Sequence, residues 1–299
     1  YGATIGGMST LIGTGPNAML AAFMSDNYNL DISFTNWMMV GIPLSATMLP
    51  ISWLVLTKII FPISFETSQE TKKLLADLKN ELGEFNGPEV KVFYVFIITA
   101  LAWMFRSILD NLPGLEYLSD AGIAMISALV LFLLPSGKSQ KGALLEWKDA
   151  QKNVPWGLLV LFGGGLSLAN AVQSSGLAVW LGSLIPGGIS TVLIIVLVVT
   201  LIIFLTELTS NMATTATFMP VVAAIAIQSN FNPLLVTAAV AIAASCAFML
   251  PVATPPNAIV FGSGLIKVPQ MARAGFLLNL IGVFLVSLVA VFLVPMFLL

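Results

Sequence analysis

Two short motifs in this chain combine residues that can hold small ions. Thr14-Gly15-Pro16-Asn17-Ala18 and Thr254-Pro255-Pro256-Asn257-Ala258 both read T-x-P-N-A, and they stand 240 residues apart. Each interrupts an apolar stretch, where Gly and Pro break a helix and free backbone N–H and C=O groups. A third segment, Glu207-Leu208-Thr209-Ser210-Asn211-Met212-Ala213-Thr214-Thr215, joins two apolar arms. Ser210 is a good N-cap residue, so the arm after it presents the N–H groups of Met212 and Ala213. A helix start carries open donors and partial positive charge, which suits a carboxylate. Asn257, opening the half-helix after Pro256, offers the same arrangement. Carbonyls freed by the break at 251–256 are hard oxygen donors of the kind sodium takes.

The residues around these motifs restrict the chemistry further. No Lys or Arg lies near them within the apolar segments, so a dianion would meet only dipoles, at a high desolvation cost. Bound cations would compensate, and cation coupling is expected, with sodium favoured. Glu207 is the one carboxylate deep in an apolar arm, three residues before Ser210. An ionisable group at membrane depth is functional by default; supporting the hairpin by accepting hydrogen bonds is favoured over sensing protons. Histidine is absent, which removes most transition-metal sites and most general-base chemistry. Ser263, in Gly-Ser-Gly, therefore has no base for an intramembrane hydrolase, and an enzyme is not expected. Gly163-Gly164-Gly165 lacks the Lys-Ser/Thr of a phosphate loop and is read as close helix packing. The single cysteine, Cys246, permits no internal disulfide.

The elements that position these motifs are membrane spans. The chain is 58% hydrophobic and 9% charged, with mean hydropathy +0.99, against about 25% charged residues in a soluble domain. A net charge of −2 gives no basic field for nucleic acid. With about 20 apolar residues needed per crossing, the sequence divides into a half-segment at 1–24 and spans near 37–63, 90–105, 121–134 and 155–172. Two arms, 189–209 and 212–227, meet at the Ser210 tip (210–214). A broken segment covers 233–264, and a last span 271–299. The hydrophilic insert 64–89 has Thr67 and Glu70 spaced as a capping box, with Leu74, Leu75, Leu78, Leu82 and Phe85 at helical spacing. It is expected to be an amphipathic surface arm, ended by Gly83, Gly87 and Pro88, or else a solvated connector.

Basic residues set an orientation. All 12 except Arg106 fall on one face when the spans are traced, while Asp110, Glu116 and Asp120 lie on the other. The positive-inside rule then makes 64–89 cytoplasmic and the C-terminus external. Parity does not distinguish a re-entrant hairpin at 189–227 from two crossings. With the arms returning to one face, the two T-x-P-N-A copies run in opposite directions. Paired breaks in corresponding positions of two halves point to the binding site of a secondary transporter, as opposed to an anion channel. By this logic a sister tip belongs about 44 residues before Thr14, upstream of Tyr1, and the chain is expected to be truncated and unable to transport as it stands.

The quoted motifs also carry a family resemblance. Residues 207–220 (ELTSNMATTATFMP), 246–264 (CAFMLPVATPPNAIVFGSG), 6–17 (GGMSTLIGTGPN) and 147–165 (WKDAQKNVPWGLLVLFGGG) resemble the divalent anion/sodium symporter family. The resemblance implies an all-α polytopic membrane protein: an inverted-repeat homodimeric transporter with re-entrant hairpins and broken transmembrane helices. Residues 1–63 would end the first repeat, and 90–299 would form the second. It implies substrate contacts from Ser210, Asn211, Thr254, Pro255, Thr14 and Gly15. Sodium would be held by Thr206, Thr209, Asn211 and Ala253, and at a second site by Gly13. The expected substrate is a dicarboxylate such as succinate, or citrate, carried across the cell membrane. Sulfate symport and dicarboxylate exchange are the alternatives. Two departures stand out: Met212 replaces the more usual Thr at the tip, and Gly15 replaces a Pro.

Overall fold

A computed structural model describes residues 1–62, 73, 76–80, 83, 86–115, 118–137, 142–154, 156–177, 180 and 189–299. Among them the regular structure is helical, apart from one isolated bridge between Pro135 and Ala143. In chain order the helices are α1 (Gly2–Gly7), α2 (Gly15–Tyr28) and α3 (Phe34–Leu54), the last continuing as a π-helical turn, Val55–Ile60. Next come α4 (Gly87–Met104), α5 (Arg106–Leu109), α6 (Asp120–Leu133) and α7 (Trp147–Asn153). Then follow α8 (Trp156–Ser174), α9 (Thr191–Leu205), α10 (Asn211–Gln228), α11 (Pro233–Ala244), α12 (Pro255–Gly262) and α13 (Val268–Phe297).

The chain forms two compact units: 1–62 with 156–299, and 63–155. Among the described residues four helical stretches are long and apolar enough to cross a membrane: Phe34–Ile60, Gly87–Met104, Asn211–Gln228 and Val268–Phe297.

In the first unit, α11 is the core. Ten of its residues are buried, from Leu234 and Val236 through Ala244, and it packs on α9, α10, α13 and α2. A helix that is apolar all round belongs inside, and its alanines let four neighbours approach closely. The run at 163–165 on α8 contributes less than expected. A Cβ on Gly165 would press on Ala216 and Met19, while Gly163 and Gly164 face open space. Only the third glycine is needed for packing.

In the second unit, α4 begins where the insert was expected to end. Asn86 and Glu89 form a reciprocal capping box, with Gly87 and Pro88 in the first turn. Pro is favoured there because its missing N–H has no helical partner to lose. Helix α4 lies against α6 through Thr99 Oγ1 to Ser127 Oγ, 2.7 Å, and Trp103 Nε1 to the Asp120 carbonyl, 3.0 Å. Arg106, the one base read on the acidic face, pairs with Asp120 at 3.1 Å and Asp110 at 3.7 Å. The capping box expected at Thr67 and Glu70, and Leu74, Leu75, Leu82 and Phe85 of the stripe, lie outside the described residues.

Candidate functional site

The first break is a loop, Met8–Thr14, between α1 and α2. Its stray carbonyls find donors, as buried backbone must. Trp37 Nε1 donates to the Met8 carbonyl at 3.2 Å and Ser45 Oγ to that of Ile5 at 2.7 Å. Asn17 Nδ2 donates to Thr10 at 2.9 Å. Gly41 of α3 packs directly beneath, where a Cβ would strike the Met8 and Ser9 carbonyls.

The second break, Ser245–Thr254, has the same construction. Asn257 Nδ2 donates to the Leu250 carbonyl at 3.1 Å and to Ala247 at 3.1 Å. Asn17 to Thr10 and Asn257 to Leu250 are one bond made twice, 240 residues apart. Gly275 of α13 lies under Phe248 and Met249 as Gly41 lies under Met8 and Ser9. Asn257 thus differs from its expected part. It is buried within α12, its side chain turned back on the loop, and its own N–H goes to the Thr254 hydroxyl at 3.4 Å. An Asn in the first helical turn has its amide nearer the preceding loop than the helix mouth, so it latches the break.

Glu207 joins the hairpin to this second break. Its carboxylate accepts from the N–H groups of Phe248 (2.7 Å), Met249 (2.9 Å) and Leu250 (2.9 Å), and from Asn279 Nδ2 (2.8 Å). Four donors converge on an acceptor-only group, and Glu207 is 3% exposed.

The hairpin's connection is Thr206–Ser210, and 211–214 form the first turn of α10. Ser210 is the N-cap, in extended conformation, but its side chain takes no capping bond. The N–H groups of Asn211, Met212 and Ala213 have no partner within the helix. The Thr206 hydroxyl, with a single proton, lies 2.8 Å from Asn211 Oδ1 and 3.0 Å from the Ala244 carbonyl. Three oxygens thereby share one hydrogen. Thr209 donates to the Leu205 carbonyl at 3.0 Å and also bonds the Thr214 hydroxyl.

These pieces enclose one cavity of about 470 Å³. Gly13, Thr14, Gly15, Ser210, Asn211, Ala253, Thr254 and Pro255 all line it, and none of its lining side chains is charged. Thr206, Thr209 and Glu207 do not line it: Thr206 stands behind Asn211, and Glu207 is turned to the 248–250 backbone. Two lining residues escaped the sequence reading. Ser245 donates to Thr14 Oγ1 at 3.3 Å, and Thr4 Oγ1 is buried without a hydrogen-bond partner. Ser245 ends a run of apolar residues after Thr237, which is the signal that could have found it; Thr4, among small residues, carries none.

An arrangement of open helix starts, hydroxyls and bare carbonyls without a charged side chain suits an anion bound together with alkali cations. Two curated relatives, from Staphylococcus saprophyticus and Staphylococcus aureus, are each named a sodium-dependent dicarboxylate transporter, SdcS. Both are 39% identical to this chain, over 299 and 302 residues, which is 99% and 100% of its length. The chain spans 57% and 58% of the length of those relatives. The family described as the sodium:sulfate symporter transmembrane region matches residues 1–299, and the chain belongs to it.

Proposed function

We propose that the protein carries a small dicarboxylate across the cell membrane, coupled to sodium, by alternating access. The observation that carries this reading is the single uncharged cavity at which both helix breaks and the hairpin tip meet. The names of the two relatives support the choice of dicarboxylate and of sodium.

In this mechanism one carboxylate of the substrate takes the open N–H groups at the start of α10 and the hydroxyls of Ser210 and Thr254. Thr14, Gly15 and Pro255 close the remaining walls. Sodium enters with the substrate and is held by the lone pairs of the Thr206 hydroxyl, Asn211 Oδ1 and the Ala244 carbonyl, the hydroxyl keeping its hydrogen and turning it away. Thr209 and Ala253 complete that site, and Gly13 belongs to a second one. Each cation offsets one substrate charge, which makes coupling obligatory in a cavity lined only by dipoles. Glu207 acts in support, holding the 248–250 backbone in place.

The repeated Asn latch and the repeated glycine seat support two related halves, with opposite orientation as traced from the spans. The hairpin 189–227 is taken as re-entrant, the arm 64–89 as cytoplasmic, the C-terminus as external and the assembly as a homodimer.

Uptake of labelled succinate into proteoliposomes by the full-length protein tests the proposal. Accumulation should require an inward sodium gradient and saturate. Uptake indifferent to both sodium and proton gradients removes coupling. Succinate uptake blocked more strongly by sulfate than by other dicarboxylates assigns an inorganic anion instead, and a requirement for internal dicarboxylate assigns exchange.

A further inference from the structure

The two residues that depart from the family pattern touch each other. A Cβ placed on Gly15 would run into the Met212 thioether sulfur, and would stand 3.2 Å from Met212 Cγ and 3.4 Å from Cε. Gly15 is the first residue of α2 and Met212 the second of α10, so the contact joins the mouths of two helices. One turn further in, Met19 and Ala216 pack with Met212 in a buried cluster. Residues four apart share a helix face, so α2 and α10 meet along Gly15–Met19 and Met212–Ala216. Both Gly15 and Met212 also line the cavity. The approach is close enough that a side chain at position 15 would require the Met212 thioether to move.

We propose that Gly15 and Met212 are a fitted pair that gives the cavity an apolar wall between its two helix mouths, selecting dianions whose middle is bare hydrocarbon over those that carry oxygen there. This rests on the reading of the cavity as the dicarboxylate site. A thioether donates no hydrogen bond and accepts weakly, and its chain is flexible enough to follow a methylene surface. The carboxylates go to the open N–H groups and hydroxyls that line the same cavity. A hydroxyl on the substrate's central carbons would face sulfur and methyl, and lose the water it gave up. Sulfate, with oxygen on every side, must present one to this wall in any orientation. An apolar wall discriminates against an added hydroxyl by at most about 100-fold, so the expected preference is modest and measurable.

The experiment uses the full-length protein with Gly15→Ala, Met212→Thr and the double variant. In proteoliposomes, unlabelled succinate should inhibit succinate uptake roughly 10-fold better than hydroxysuccinate, and better still than sulfate. Met212→Thr supplies a hydroxyl and should shrink that ratio to a few-fold. Gly15→Ala should weaken succinate, and adding Met212→Thr should restore it in part, because threonine lacks the sulfur that the new methyl strikes and keeps only a γ atom, where Met212 Cγ now stands 3.2 Å away. A ratio unchanged in Met212→Thr overturns the selectivity role. Melting temperatures of the four proteins in detergent, without substrate, test the fit itself: Gly15→Ala should lower the midpoint when Met212 is present and lower it less when combined with Met212→Thr. Equal losses in both backgrounds overturn the pair. If no protein takes up succinate while the melting cycle still couples the two residues, the transport reading fails and the steric pair stands.

Discussion

At the scale of single residues, Glu207 and the two latch asparagines give the firmest expectations. Glu207→Gln keeps the shape but turns an NH2 toward backbone N–H groups that need an acceptor. Leaving one such buried donor unsatisfied costs about 1–3 kcal/mol, so the melting midpoint should fall by several degrees. If Glu207 only supports the loop, the pH profile of the residual uptake should match that of the native protein; a lost pH dependence would give Glu207 the proton role instead. Asn257→Ala strands the Ala247 and Leu250 carbonyls, whereas Asn17→Ala strands one, Thr10. The former should be the more destabilising in a thermal melt, by roughly 1–3 kcal/mol. The T-x-P-N-A motif was visible in the sequence, but the side-chain direction of its Asn was not. A motif records residue types, and only the path of the preceding loop decides what an amide reaches.

At the scale of elements, a helix start away from the cavity and one at it are finished differently, and this separates folding from binding. Ser33 caps α3 by accepting from the Asn36 N–H at 3.1 Å. Its replacement by Ala should cost about 1 kcal/mol of stability and leave uptake affinity alone. Ser210 stands at the N-cap of α10 but makes no such bond. Ser210→Ala should therefore leave the melting midpoint within about a degree while raising the succinate concentration needed for half-maximal uptake. Spans and breaks were legible because each needs only an apolar run and a Gly or Pro within it. Gly87-Pro88, read as the end of the insert, stands in the first turn of α4, because the pair signals either an end or a beginning. The Asn86–Glu89 box, which brackets the Pro, tips it toward a beginning.

At the scale of the molecule, alternating access makes a labelling prediction. Cys246 is the chain's only cysteine and is buried, so the native residues should be inert to maleimides. Val252, 80% exposed and on the cavity wall, is the place for a reporter. Val252→Cys should react from one side of the membrane at a time and be protected by succinate only when sodium is present. Protection by succinate in sodium-free buffer would separate anion binding from the cation. Membrane class was legible from composition alone, and the meeting of residues 13–15 with 210–211 and 253–255 was foreshadowed by the repeat. The division into units was not: residues 156–299 fold with 1–62, and no composition shift marks that return.

The Glu207 contacts have a mechanical consequence. One carboxylate ties the end of α9, the backbone at 248–250 and Asn279 on α13 through four bonds, each shorter than 3 Å. Sliding any of these three segments past the others by even about 1 Å would stretch several of those bonds together, since hydrogen bonds weaken quickly beyond about 3.2 Å. The hairpin and the second break are therefore expected to travel as one stiff lever, and in the alternating-access mechanism proposed above the slip plane would run elsewhere in the protein.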